Sequence, residues 1–277
     1  MTTSIHDTCF AGNRPGQSRP PAPENHSACR GWCRSCSREH SLPTGRAREQ
    51  AGALFDRLTR TGTIAAPGSA AAADPRLATA SLFGKARGKM FGVLECLAAD
   101  GTCQWLFAFS GQYNGQWLVP GWAPPLFDPA AYQRINEPGE RQVKALGSQL
   151  AALPASEPDY RKVAQARRRL SQELMVALHE LYRIPNFRGE DTSLTGAVGD
   201  AAGKPTGIGD CCAPKLLGQA VARKLAPISL AEFYFGRSNR SGCRQHGCFY
   251  PPCSDKCLPL LGFMLCGAEE RRNAYGG

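Results

Sequence analysis

Two short segments constrain this chain more than any others: Gly207-Ile208-Gly209-Asp210-Cys211-Cys212-Ala213-Pro214-Lys215 and His246-Gly247-Cys248-Phe249-Tyr250-Pro251-Pro252-Cys253-Ser254-Asp255-Lys256-Cys257. The first reads as a helix start: Asp210 is a suitable N-cap, and Pro214 falls in the first turn, where a missing N–H costs little. The second ends in a CxxxC pair that leads into a final short helix over 255–266. Free N–H groups and the helix dipole stabilise a thiolate at such a position. A thiolate is what both metal binding and nucleophilic attack require.

The chain carries 13 cysteines and opens without an apolar run of signal-peptide type. No stretch approaches the roughly 18–20 apolar residues of a membrane span. The expected setting is therefore cytoplasmic and away from membranes, and there thiols stay reduced. The cysteines then read as metal ligands, as a nucleophile or as small buried apolar groups. The zinc reading takes Cys211, Cys253 and Cys257, with His246 as fourth ligand. The nucleophile reading pairs Cys211 with His246 as base.

The 277 residues carry a formal net charge of +10. An excess of that size favours an acidic partner, nucleic acid first and an anionic membrane surface second. Two basic stretches are candidates for phosphate contact. One is the loop 84–89 with Lys85, Arg87 and Lys89. The other is Arg167, Arg168 and Arg169 on a helix whose apolar stripe passes through Tyr160, Val163, Leu170, Leu174, Ala177 and Leu181.

Local patterns divide the chain into four parts. Residues 1–50, rich in Pro, Gly, Ser and Arg, read as a disordered basic tail. Within them Cys29, Cys33, Cys36 and His40 fall at spacings in the zinc range, but in such a stretch they read as incidental. Residues 51–136 form an N-terminal part, with a short helix over 51–60, a linker over 63–79, and a β-hairpin of 90–97 and 103–109 about Asp100-Gly101. Residues 137–185 form a helical segment, with helices over 139–152 and 157–184. Residues 186–277 form a Cys/His-rich helix–strand–helix module. The fold class expected is α+β (or α/β): a small mixed sheet with packed helices and a long amphipathic helix in the middle.

Several blocks carry a resemblance: Gly88–Leu94, Ala108–Gly111, Pro120–Asp128, Gly207–Leu217, Leu230–Gly236 and His246–Leu265. Together they resemble the long N-terminal region that precedes the catalytic domain in a subset of RluA-type RNA pseudouridine synthases. The likeness covers roughly residues 50–267, with GDCCAPKLL and FYPPCSDKCLPLLGFML its most specific parts. It implies an association with RNA modification, RNA binding, and a synthase catalytic domain on another chain or lost by truncation. The catalytic aspartate of that family sits in an HRLD-type motif, and no such motif occurs here. A fainter resemblance is to zinc-dependent deaminases, in which Cys211, Cys253 and Cys257 would match the ligands. Ala213 stands where their proton-shuttling Glu is needed.

Overall fold

A computed structural model describes residues 27–199 and 207–276. Its central element is the hairpin expected from Asp100-Gly101. Strand β3 (Lys89–Leu97) pairs antiparallel with β4 (Cys103–Phe109), and Gly101 takes the left-handed φ of 80° that the turn requires. β3 also pairs antiparallel with β7 (Ala226–Phe235), giving the order β4-β3-β7. The fold is α+β, and the described strand pairings are antiparallel rather than mixed.

The strands alternate between two apolar cores, as period-two side chains must. Phe91 and Val93 of β3, with Ala231, Phe233 and Phe235 of β7, face a core shared with helix α1 (Ala47–Thr61). Leu94, Cys96 and Leu230 face a second core with helix α5 (Cys212–Ala222). α1 presents Ala47, Ala51, Leu54 and Leu58 at three- and four-residue steps. Its first turn is anchored by polar groups. Ala47 N donates to Ser229 Oγ at 3.0 Å, Ser229 Oγ donates to Glu95 Oε2 at 2.6 Å, and Arg46 pairs with Glu95 at 3.1 Å. α5 lies close on the sheet because position 92 is glycine. A Cβ there would meet Cys212 Cβ at 2.6 Å.

The expectation of a disordered tail over 1–50 falls partly outside the described residues, and over 27–50 it is corrected. β1 (Ser27–Cys33) and β2 (Arg38–Pro43) form an antiparallel hairpin that leads into α1. Cys29, Gly31 and Cys33 are buried while Arg30, Trp32 and Arg34 are exposed, a strand alternation in which cysteine serves as the apolar residue.

Between α1 and β3, Ile64 and Leu77 are buried and short 3-10 turns cover 70–83, so the expected linker is ordered chain. Helix α2 (Pro129–Ala152) starts ten residues before the expected 139, with Asp128 Oδ1 capping Ala130 N at 2.9 Å. It passes through Pro138, and Leu174 of α3 (Pro158–His179) sits over Gly139. A two-residue ladder of β5 (Ile184–Pro185) and β6 (Asp191–Thr192) leads to α4 (Leu194–Val198). The C-terminal helix expected over 255–266 is shorter, α6 (Leu258–Met264), and α7 (Ala268–Gly276) follows it. No helix among the described residues is long and apolar enough to cross a membrane.

Candidate metal centre

The start of α5 is fixed by chain features on both sides of Cys211. Gly207 and Gly209 take left-handed φ values of 75° and 86°. Gly111 N donates to Asp210 O at 2.7 Å. Asp210 is not the cap expected of it: its carboxylate accepts from Tyr182 Oη at 2.7 Å, and Cys211 occupies the N-cap position. Burial raises the Asp210 carboxyl. A long-range partner has thus outcompeted the local cap.

The N–H of Ala213, one of the first-turn groups a helix leaves unpaired, is satisfied from the sheet. It donates to Glu232 Oε1 at 2.8 Å. Glu232 projects from β7 toward the α5 face, and burial pushes its carboxyl up to about 8. The sequence offers Glu232, with Asp210, only as an orienting partner for a Cys211–His246 pair, not as the acceptor at the start of α5. The signal for Glu232 was the alternation of β7, which puts 230 and 232 on one face.

Cys253 arrives by a different route. After β7 the chain turns back and runs along it as an added edge. Gly247 N donates to Tyr234 O at 2.8 Å, Tyr234 N to Cys248 O at 2.9 Å, and Tyr250 N to Glu232 O at 3.1 Å. Phe249 stands opposite Phe233. Pro251-Pro252 ends this pairing, and a tight turn with Cys257 N donating to Cys253 O at 3.2 Å places both thiols at the start of α6. Cys257 is the N-cap residue of α6, as Cys211 is of α5.

The two helix starts meet. Cys211 Sγ lies 3.8 Å from Cys253 Sγ, and Cys253 Sγ lies 3.5 Å from Cys257 Sγ. All three sulfurs are within 4.8 Å of one another. Zinc–sulfur bonds of about 2.3 Å in a tetrahedron separate the sulfurs by roughly 3.8 Å. The donor set therefore fits a metal ion: Cys257 is buried, and Cys211 and Cys253 are half-buried. Hydrogen bonding from Cys211 and Cys257 lowers the Cys253 thiol, while the bond to Cys253 raises that of Cys211.

His246 does not join them, which corrects the fourth ligand. The edge pairing of 247–250 turns position 246 to the α1 face of the sheet. There its ring packs on Phe235, Phe55 and Phe83 at centroid distances of 4.8, 5.0 and 5.2 Å. Its Nδ1 accepts from Gly236 N at 3.0 Å. The Cys211–His246 pairing that a thiol nucleophile needs is likewise not formed.

Two neighbours complete the surroundings. Cys212 points into the sheet, donating to Met90 O at 3.3 Å, and is held protonated by burial. Lys215, fully buried one turn along α5, donates to Phe109 O at 2.8 Å and Gly111 O at 3.3 Å. Burial lowers its amine to about 8. One further group among the described residues gathers its ligand atoms within 4.8 Å: Cys33, Cys36, His40 and Cys266.

The basic candidates are dispersed. Lys89 is the first residue of β3 and donates to Ser110 O at 3.2 Å, and Arg87 donates to Ser238 O at 2.7 Å. Lys85 is exposed. Arg167, Arg168 and Arg169 are exposed on α3, with Arg167 lying over Gly147 of α2 and Arg169 3.7 Å from Glu173. No protein-family model, curated protein or solved structure matches the chain.

Proposed function

We propose that this chain is an RNA-binding accessory module for RNA pseudouridine synthesis, held in shape by zinc at Cys211, Cys253 and Cys257. The convergence of those three sulfurs carries the zinc part of the reading, because three thiolates at tetrahedral spacing suit zinc better than the harder cations. The RNA part rests on charge and on the α2–α3 arm. α2 is 24 residues long and buries none of them, so the arm stands out from the body and packs chiefly on itself. Its root is aromatic, with Tyr132 stacked on Phe127 at 4.7 Å. Lys162, Arg168 and Arg169 lie together with Gln165 and Gln172 on one exposed face of α3. The link to pseudouridine synthesis comes from the sequence blocks around GDCCAPKLL, and isomerisation itself is assigned to a separate catalytic domain bearing the aspartate.

Binding of a structured and a single-stranded RNA, measured across salt concentrations, tests the RNA role. Each phosphate contact on a single strand contributes a slope of about −0.7 in log K against log salt. Replacing Lys162, Arg168 and Arg169 together by Gln should flatten the slope by roughly 2. Absent or salt-insensitive binding removes the role.

One observation favours a second reading, a zinc-dependent hydrolytic enzyme of deaminase type centred on Cys211. Three ligands leave a fourth position open, and the Glu232 carboxyl supplies, from β7, the proton-carrying group that Ala213 lacks. Ammonia release from cytidine or adenosine by the zinc-loaded protein, lost in Glu232→Gln, would support it. No release from either nucleoside sinks it.

A further inference from the structure

We infer that Cys33, Cys36, His40 and Cys266 form a second zinc site, closed and structural, that clasps the N-terminal hairpin to the C-terminal helices. It goes beyond the function proposed above and does not depend on it.

The geometry is that of a complete ligand set. Cys36 Sγ lies 3.1 Å from His40 Nε2 and 3.8 Å from Cys266 Sγ, and the four ligand atoms are mutually within 4.8 Å. Three sulfurs and one imidazole fill a tetrahedron and leave no position for substrate, the mark of a structural site. Cys33 and Cys266 are buried and Cys36 and His40 half-buried, so the ion would lie just under the surface.

The chain is built to bring them together. Cys33 ends β1, Cys36 lies in the turn, and His40 is on β2. Ser37 takes a φ of 52°, which few non-glycine residues adopt, and so tightens the turn between the ligands. Cys266 follows α6 and is 230 positions from Cys36. Two glycines let the elements touch. A Cβ on Gly31 would meet Gly262 Cα at 2.9 Å, and one on Gly262 would meet Cys33 N at 2.7 Å, so β1 lies backbone to backbone against α6.

Charge is matched as well. Three thiolates and a neutral imidazole around a dication leave one net negative charge. Arg188 stands close enough to Cys266 and Cys36 to interact with both electrostatically, a positive charge beside the ligand set that offsets the excess. The hairpin has little core of its own, and metal binding free energy would serve as folding free energy for it. α6 would then be bracketed by two centres, Cys257 just before it and Cys266 just after it. Its seven residues set the centres roughly 10 Å apart along the chain.

The test is metal content of the full chain, purified under reducing conditions without added chelator, with hydrogen exchange of residues 27–43. Two zinc per chain are expected. Cys266→Ser should lower this to one and speed exchange across the hairpin, while Cys211→Ser should remove the other zinc and leave hairpin exchange slow. His40→Cys, which supplies a fourth thiolate, should keep both. Cobalt-substituted Cys211→Ser should show the intense visible bands of a tetrahedral, thiolate-rich site, which keeps the test valid should Cys266→Ser fail to fold. The inference is overturned by a Cys266→Ser chain with unchanged zinc content, by a Cys36–Cys266 disulfide in the reduced preparation, or by a cobalt spectrum without tetrahedral character.

Discussion

Gly262→Ala changes no proposed ligand, yet it should empty one metal site. The added methyl would stand 2.7 Å from Cys33 N and closer still to the Trp32 carbonyl, where ordinary contact begins at 3.4 Å. These are backbone atoms of a paired strand and have no rotamer to escape into. The hairpin would have to retreat by about 0.7 Å or more, several times the roughly 0.2 Å within which metal–ligand distances are held. Overpacking of this kind costs about 1–3 kcal/mol. In a domain of this size that lowers Tm by roughly 2–12 °C. Zinc content and a thermal melt on the same preparation give the assay: the expected result is a fall from two zinc to about one with a lower Tm. Two zinc and an unchanged Tm would show that β1 does not lie backbone to backbone against α6.

Lys215→Met should alter the pH profile of stability. Burial holds the Lys215 amine near 8 in the folded chain, below its ordinary 10.5, so the folded state releases its proton first. The wild type therefore gains stability as pH rises from 8 to 10.5, by roughly 3 kcal/mol, and loses it again as pH falls back through 8. Urea melts across that range should show the gain in the wild type and not in the variant; parallel profiles would refute the burial effect. Ser229→Ala removes the hydroxyl joining Ala47 N to Glu95 at the start of α1. It should cost about 1–3 kcal/mol in a urea melt, and a loss below about 0.5 kcal/mol would mean that α1 is not anchored there.

What could be read from the sequence was what is decided locally. Asp100-Gly101 makes its hairpin whatever surrounds it, and Pro214 marks a helix start by its missing N–H. Features decided at long range were not legible. Asp210 looks like a cap, but Tyr182, 28 positions away, takes its carboxylate. His246 stands at ligand spacing, and only the pairing of 247–250 along β7 shows that it faces the other core. Cys33, Cys36 and His40 have ligand spacing inside a stretch whose composition argues against order. The hidden signal was the alternation of Cys29, Gly31 and Cys33, where the apolar residue is cysteine. The partner Cys266 lies too far along the chain for spacing to suggest it.

In the proposed centre, helices α5 and α6 each lend a thiolate from their N-cap to one shared ion. Zinc content of Cys253→Ser beside the wild type addresses it most directly, since Cys253 touches both other sulfurs. The variant should lose one full equivalent while the site at Cys33, Cys36, His40 and Cys266 keeps its own. Equal zinc in the two proteins would mean that Cys211, Cys253 and Cys257 are only neighbouring thiols.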